Sequence, residues 1–461
     1  MSKLNISFGP RIDDVTVDGE SNIVTSASEF QALINFINSA RARNSTAGDA
    51  LIAEGRGDSS SMRVIVPSAD GALVTRELID LQVAFGATGA GNGNEVLSGL
   101  LARYMMHGTP AVAGIVAHRL LKSVLTVLRS VSGMPDARVF FANDGSVAVN
   151  AALRVALGHA AKKDGHNLDG CDPRWSCYKV VVAERAYHGS GGLERSFFRS
   201  PRGRNNLGPL SPNLNVVHVP FGDIHALERT FASRDGRVAA VLLEPVQGTG
   251  GCMVPPSGYL AAVGALCRQQ GAVFIADEIR SGFGRLGEFF YSPSVGAEPD
   301  LICGGKSAAS GVVPFSFVIG KPALMEELAS GIWGVTWNAS PFQCMALLQF
   351  AKQLDEGLLD NIRQKSGYLA QSFGELQKKY PKQVSGFNGT GLMRCLETVY
   401  PASKIVQGLL SRGVFTSPVF HPDYFGEVLM KVYVTPALTI TEAQIDTVVV
   451  AVEDVIKELS A

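Results

Sequence analysis

The 461-residue chain lacks any uninterrupted apolar run long enough to cross a bilayer. Its start, MSKLNISFGPRIDD, has no apolar core of the kind a secretory signal requires, so a cytoplasmic location is expected. Charge is scarce and balanced: 41 basic residues face 42 acidic ones, for a net charge of −1. That balance gives no electrostatic footprint for nucleic acid or for an anionic membrane. Cysteine is sparse too, with seven residues scattered at 171, 177, 252, 267, 303, 344 and 395 and no Cys-x-x-Cys pair. An odd, dispersed set argues for reduced thiols and against a disulfide frame or a zinc site, and no metal is expected. Cys303 reads as a small buried strand residue.

What is present is the composition of a globular enzyme-sized chain, 46% apolar with 50 glycines. Its length suits a large domain with smaller terminal parts. The chain is organised around residues 241–306. Val241–Leu243 runs into Glu244, Val273–Ala276 runs into Asp277, and Leu301–Cys303 runs into two glycines and Lys306. Short apolar runs without polar alternation read as parallel strands buried on both faces. Ligands sit at the carboxyl ends of such strands, so a carboxylate and a lysine are expected there side by side. A lysine in an apolar pocket loses its charge and becomes a nucleophile toward an aldehyde. An Asp beside a pyridine nitrogen keeps that nitrogen protonated, so the ring can accept electrons. On these two residues alone, a structural ion pair is the competing reading.

Two further junctions carry chemistry. Val139–Ala142 reads as a strand and Ser146 onward as a helix, with Asn143, Asp144 and Gly145 between them. Free backbone N–H groups at such a turn bind phosphate, though an ordinary helix cap has the same appearance. Lys179–Ala183 reads as a strand followed by Tyr187-His188-Gly189, where the ring either packs in the core or stacks on a planar ligand. Elsewhere, residues 26–44 read as a helix and 63–95 as a hairpin around Asp70-Gly71 followed by a glycine-rich loop. Helices are expected over 95–106 and 113–131, and a strand pair over 311–321. The C-terminal part alternates helix and strand and ends in a helix capped by Thr441 with Gln444.

Glu244-Pro245-Val246-Gln247-Gly248, Ala276-Asp277-Glu278-Ile279, Ser281-Gly282-Phe283-Gly284-Arg285 and Lys306, in this order and spacing, resemble the class III aminotransferases. These are pyridoxal 5'-phosphate (PLP) enzymes of fold type I. The resemblance implies an α/β fold: a large domain with a mostly parallel seven-stranded sheet flanked by helices, and a smaller α+β domain from both termini. It implies an N-terminal segment over 1–95, a PLP-binding domain over 96–345 and a small domain over 346–461. Lys306 would form the Schiff base, Asp277 would pair with the pyridinium, and Ile279 and Tyr187 would sandwich the ring. Gly145 and Ser146 would hold the phosphate, with His188 and Glu244 completing the cofactor-binding set. The turn containing Thr336 is similar to one whose threonine reaches the neighbouring subunit's phosphate, which implies a homodimer with shared active sites. Gly145-Ser146-Val147-Ala148-Val149 is similar to the branch that includes 7,8-diaminopelargonic acid aminotransferase.

The chain departs from the family where many members bind an α-carboxylate. Tyr433 stands where they carry an Arg, and Thr249 where they carry the Glu that masks it. Lys431 and Arg394 are then candidate replacements. Arg280 is another, unless it only pairs with Glu278 or Glu244. The expected activity is transfer of an amino group between an amine or amino acid donor and a carbonyl acceptor, in biosynthesis and on an unusual substrate. An aminomutase, racemase or epimerase, decarboxylase or lyase on the same fold needs the same Lys306 and Asp277. A member that only binds is disfavoured by the intact set of site residues.

Overall fold

The computed structural model describes residues 28, 31, 52–56, 60–67, 72–107, 118–166, 172–191, 193–200, 204, 214–233, 235–328, 334–421, 423 and 429–461. Seven strands form the main sheet: β1 (Arg138–Ala142), β2 (Tyr178–Ala183), β3 (Asn215–Val219), β4 (Arg237–Leu243), β5 (Val273–Asp277), β6 (Leu301–Gly304) and β7 (Ser316–Gly320). Their order is β1-β7-β6-β5-β4-β2-β3. β2 through β6 run parallel, and β7 runs antiparallel between β1 and β6. Every residue of β2, β5, β6 and β7 is buried, which is why these strands read as continuous apolar runs. Edge strand β3 is only half-buried over its first four residues.

The helix α1 (Gly145–Lys163) follows β1 and lays an alanine- and valine-rich face on the sheet. Small side chains let it sit close, which brings its N-terminus to the carboxyl edge of the sheet. Because β7 is antiparallel, its first residue also lies at that edge: Ser316 pairs in register with Ala142, and its Oγ donates to Asp144 O at 2.5 Å.

Residues 311–321 form one strand rather than a pair. Pro314 offers no N–H, Gly311 has φ of +74°, and regular structure begins only at Ser316. The expected hairpin exists as Ser61–Pro67 paired antiparallel with Leu73–Asp80, while its turn at Asp70-Gly71 lies outside the described residues. Ser28 and Gln31 are helical, and the rest of the helix expected over 26–44 also lies outside them. Likewise, the second early helix is described over Arg119–Val131, so 113–117 of its expected span fall outside.

Val414–Phe415 joins the N-terminal strands in a second, four-stranded sheet. Val384–Thr390, Met393–Thr398 and Lys431–Val434 form a three-stranded antiparallel sheet. The helices Leu359–Lys379, Ala402–Ser411 and Glu442–Ser460 share one apolar core with it. Thr441 and Gln444 make the reciprocal capping box that opens the last helix. Among the described residues, no helix is long and apolar enough to cross a membrane.

Candidate active site

Five segments bring chemical groups to the carboxyl edge of the main sheet. Asp277 ends β5, and its carboxylate is held at both oxygens. His188 Nδ1 lies 2.8 Å from Oδ2, and the Ile279 N–H donates to Oδ1 at 3.2 Å. A carboxylate only accepts, so the His188 proton sits on Nδ1. This leaves His188 Nε2 buried with no partner. Glu244 follows β4 and accepts from Tyr187 N and from Gly248 N, each at 2.9 Å. Burial raises its pKa, and the nearby His188 works against that rise. Glu244 therefore ties the segment after β2 to the segment after β4, which fixes the backbone that carries Tyr187.

Lys306 lies two residues past β6 and opens a short 3-10 helix. It adopts φ of +44°, a left-handed conformation that costs a non-glycine residue about 1–3 kcal/mol and that surrounding structure must enforce. The enforcement is visible. Ser307 Oγ donates to Gly86 O at 2.8 Å, and Ala90 N donates to Ser310 Oγ at 2.5 Å. The glycine-rich loop thus acts as a seat for the lysine segment. Burial, then the charge of Arg280, lowers the Lys306 pKa to about 8, against the opposing pull of Asp277 and Glu244. A lysine there is neutral over a useful part of its working range, and so nucleophilic. Cys303, on the strand below, is buried and its thiol is pushed well up, which leaves it inert.

The turn before α1 has the features of an anion cradle. Asp144 Oδ1 caps the helix by accepting from Val147 N at 3.1 Å, while the first N–H groups of any helix lack acceptors within it. A Cβ at Gly145 would lie 2.9 Å from Cδ1 and 3.2 Å from Cγ2 of Ile279, so only glycine lets Ile279 close over the turn. Ser146 Oγ lies against Gly189, next to His188 and Tyr187. Tyr187 is half-exposed, and its hydroxyl is 3.1 Å from Ser190 Oγ. Gly145→Val is expected to push Ile279 aside, an overpacking cost of about 1–3 kcal/mol, and so to weaken cofactor binding by about tenfold or more. Absorbance titration with PLP reads the loss, and adding Ile279→Ala should recover part of it. Unchanged affinity in the single variant would remove the turn from the binding site.

Of the remaining candidates, Arg280 borders this cluster at Gly86 and Gly248. Arg394 spends its donors on its own hairpin, Nε on Gly391 O at 3.1 Å and Nη1 on Gly389 O at 3.0 Å. Lys431 pairs with Glu397 at 3.0 Å. Thr336 is exposed, four residues before the Ser340 cap of the helix Pro341–Gln353. Tyr433 is buried and lies under Arg280, whose guanidinium carbon is 4.6 Å from the ring centroid. Arg280 pairs with neither Glu278 nor Glu244. Glu278 is taken by Ser281 Oγ and by Ser292 N and Oγ, and Glu244 by the two N–H groups above. Burial opposes the charge on Arg280, but Tyr433, Cys252 and Glu244 outweigh it and raise its pKa.

The described residues contain no group of His, Cys, Asp and Glu that could hold a metal ion. What they present is a lysine with a lowered pKa, a doubly held carboxylate and a glycine cradle at one sheet edge. The sequence pattern of the family "Aminotransferase class-III" matches residues 56–456. The chain is a class III aminotransferase. It is 30% identical to a putrescine aminotransferase from Pectobacterium atrosepticum over 331 residues, 70% of this chain and 66% of that protein. It is 32% identical to an ornithine aminotransferase from Bordetella pertussis over 308 residues, 66% of this chain and 69% of that protein. The fold matches the ornithine aminotransferase of Toxoplasma gondii with a TM-score of 0.79 at 23% identity, covering 95% of this chain and 96% of that one. A transaminase from the marine bacterium Virgibacillus matches with a TM-score of 0.79 at 20% identity, covering 93% and 99%.

PLP is the cofactor of this family, and the residues present fit it: a small-residue cradle for the phosphate, a fixed carboxylate and a lysine. Three features of this candidate site escaped sequence reasoning. They are the role of His188 in holding Asp277, the seating of Lys306 on Gly86 and Ala90, and the stacking of Arg280 on Tyr433. Each joins residues far apart in the chain, and no local pattern signals it.

Proposed function

We propose that this aminotransferase takes an amino group from a primary amine or amino acid and passes it to a carbonyl acceptor, with Lys306 and Asp277 as its catalytic residues. The observation that carries this is their convergence with the Gly145 turn at the ends of neighbouring strands. When bound, PLP supplies an aldehyde carbon for the amino group and a ring that takes up the electron pair released at the donor carbon. Gly145 and Ser146 would hold its phosphate, and Tyr187 and Ile279 its ring faces. His188 and Ile279 N hold Asp277, whose negative charge would keep the ring nitrogen protonated. Lys306, kept neutral by burial, would take the proton from the donor carbon as general base and hand it on to complete the transfer.

The same reading assigns residues 96–345 to a cofactor-binding domain, with 1–95 and 346–461 forming the smaller one. It assigns Thr336 to the phosphate of a second subunit, so the working unit is a homodimer with shared sites. Exposure of Thr336 at the molecular surface supports that assignment. The six cysteines among the described residues are unbridged, which supports a reducing, cytoplasmic setting. The named activities of the relatives suggest small amines and amino acids of four or five carbons as donors; the biosynthetic role and unusual substrate rest on the departures in the sequence alone.

The test is the visible spectrum of the purified protein during titration with single donors, putrescine and ornithine among them. The bound-aldehyde band is expected, and one donor should convert it to the amine form, which a carbonyl acceptor then reverses. A band that no donor discharges would favour a mutase, racemase, decarboxylase or lyase.

A further inference from the structure

Arg280 is 7% exposed, and both Nε and Nη2 are buried without a hydrogen-bond partner. Those two nitrogens form one edge of the guanidinium, the edge that matches the two oxygens of a carboxylate. Protein structures rarely leave such donors unpaired, because a buried N–H without an acceptor keeps its full desolvation penalty. The neighbourhood is built around this side chain. A Cβ at Gly248 would lie 2.5 Å from Cδ and 2.6 Å from Nη1 of Arg280, so the glycine makes room for it. Tyr433 supports the guanidinium from one face. The two nearby acids are occupied by other donors, as described above, so among the described residues no carboxylate meets the free edge.

A second buried arginine sharpens the point. Arg285 donates Nη1 to Leu392 O at 3.1 Å and to Pro436 O at 2.5 Å, yet its Nε and Nη2 also lack partners. Both arginines border Gly86, the residue whose carbonyl seats the lysine segment. The charge of Arg280 is felt at Lys306 and at Arg285 alike. Three cationic side chains thus gather where the nearby carboxylates among the described residues, Glu244, Asp277 and Glu278, are already engaged.

We infer that Arg280, clamped on Tyr433 in the space left by Gly248, is the carboxylate anchor of this enzyme: it binds a carboxylate of the amino acid donor or oxo acid acceptor through Nε and Nη2. The function otherwise served by an arginine at position 433 has moved to position 280. Tyr433 changes from a would-be anchor to the platform of the new one. The placement beside Lys306 rests on the aminotransferase reading, but the binding itself does not. The substrate class that follows is an amino acid and oxo acid pair, and simple diamines should be poor donors.

The test uses the purified holoenzyme and glutarate, an unreactive five-carbon acid with a carboxylate at either end, titrated by calorimetry. Wild type should bind glutarate. Arg280→Ala should weaken binding by at least about 30-fold, the usual loss when one partner of a buried charge pair is removed. Arg280→Lys keeps the charge and the space but not the fork, and should weaken binding by about tenfold; it serves where the alanine variant does not fold. Both variants should keep the cofactor band. Ornithine should lose its advantage over putrescine as donor in the same variants. If wild type does not bind glutarate, or if folded variants bind it as wild type does, the assignment is overturned. A protein that binds glutarate through Arg280 but shows no aldehyde band would overturn the aminotransferase reading and leave the anchor standing.

Discussion

Lys306→Ala is expected to abolish turnover, by at least about four orders of magnitude, while the protein still folds and still binds some PLP. The size follows from the two jobs lost together. In the proposed reaction the lysine would be both the nucleophile that holds the aldehyde carbon and the base that moves the donor proton; acid–base catalysis alone contributes about 10²–10⁴-fold. Neither of two other buried or half-buried lysines among the described residues stands ready: Lys431 is paired with Glu397 and Lys179 with Asp235. Folding should survive because Ser307, Ser310 and their partners seat the segment without the lysine side chain. Alanine also fits the left-handed backbone no worse than lysine does.

The same residue has a pH signature. Its pKa is lowered from 10.5 to about 8, first by burial and then by Arg280. Below about pH 8 the amine is mostly protonated and unreactive; above it the neutral form dominates. In cofactor-free protein, trapping of a small aldehyde at Lys306 by borohydride should therefore climb through about pH 8 and level off above it. An unperturbed lysine would still be climbing near 10.5. Arg280→Ala removes the second cause and should move the midpoint upward. A wild-type midpoint near 10.5 would show that the pocket does not tune this lysine, and turnover by Lys306→Ala near the wild-type rate would end its catalytic role.

The sheet was the most legible part of the chain because its physics is local. A strand buried on both faces must be apolar at every position, and the first polar residue after it marks the carboxyl edge where a site can form. Glu244, Asp277 and Lys306 announced themselves in this way. The turn at Gly145 was legible for a similar reason, since strand, glycine and helix start are adjacent in sequence. What could not be read is what bridges those ends. His188 and Asp277 lie 89 residues apart, and their hydrogen bond depends on the order of β2, β4 and β5 in the sheet, which sequence periodicity does not encode. Arg280 illustrates the same limit. The alternative of a mere ion pair stayed open in the sequence, and only the fold shows that Glu278 and Glu244 are drawn off by serine hydroxyls and backbone N–H groups.

Asp277→Asn carries the second large effect. The amide is nearly the same shape, and its oxygen can still accept from Ile279 N, so fold and cofactor binding should change little. The charge is lost, however, and with it what, in the proposed reaction, would keep the ring nitrogen protonated. His188 is affected too: facing an amide donor, its proton moves from Nδ1 to the buried Nε2, which has no partner in the chain. Electrostatic contributions of this kind are worth about 10²–10³-fold per group in a water-poor site, so the single-turnover rate with a good donor should fall by about that factor or more. A structural role predicts a different outcome, namely loss of melting temperature or of PLP affinity in step with activity. The two are separated by a PLP analogue alkylated on its ring nitrogen, which carries a fixed positive charge. If Asp277 acts through charge, this analogue should recover a substantial part of the rate in Asp277→Asn and give little benefit to wild type. Recovery in neither protein, with affinity intact, would mean that Asp277 only positions His188 and Ile279.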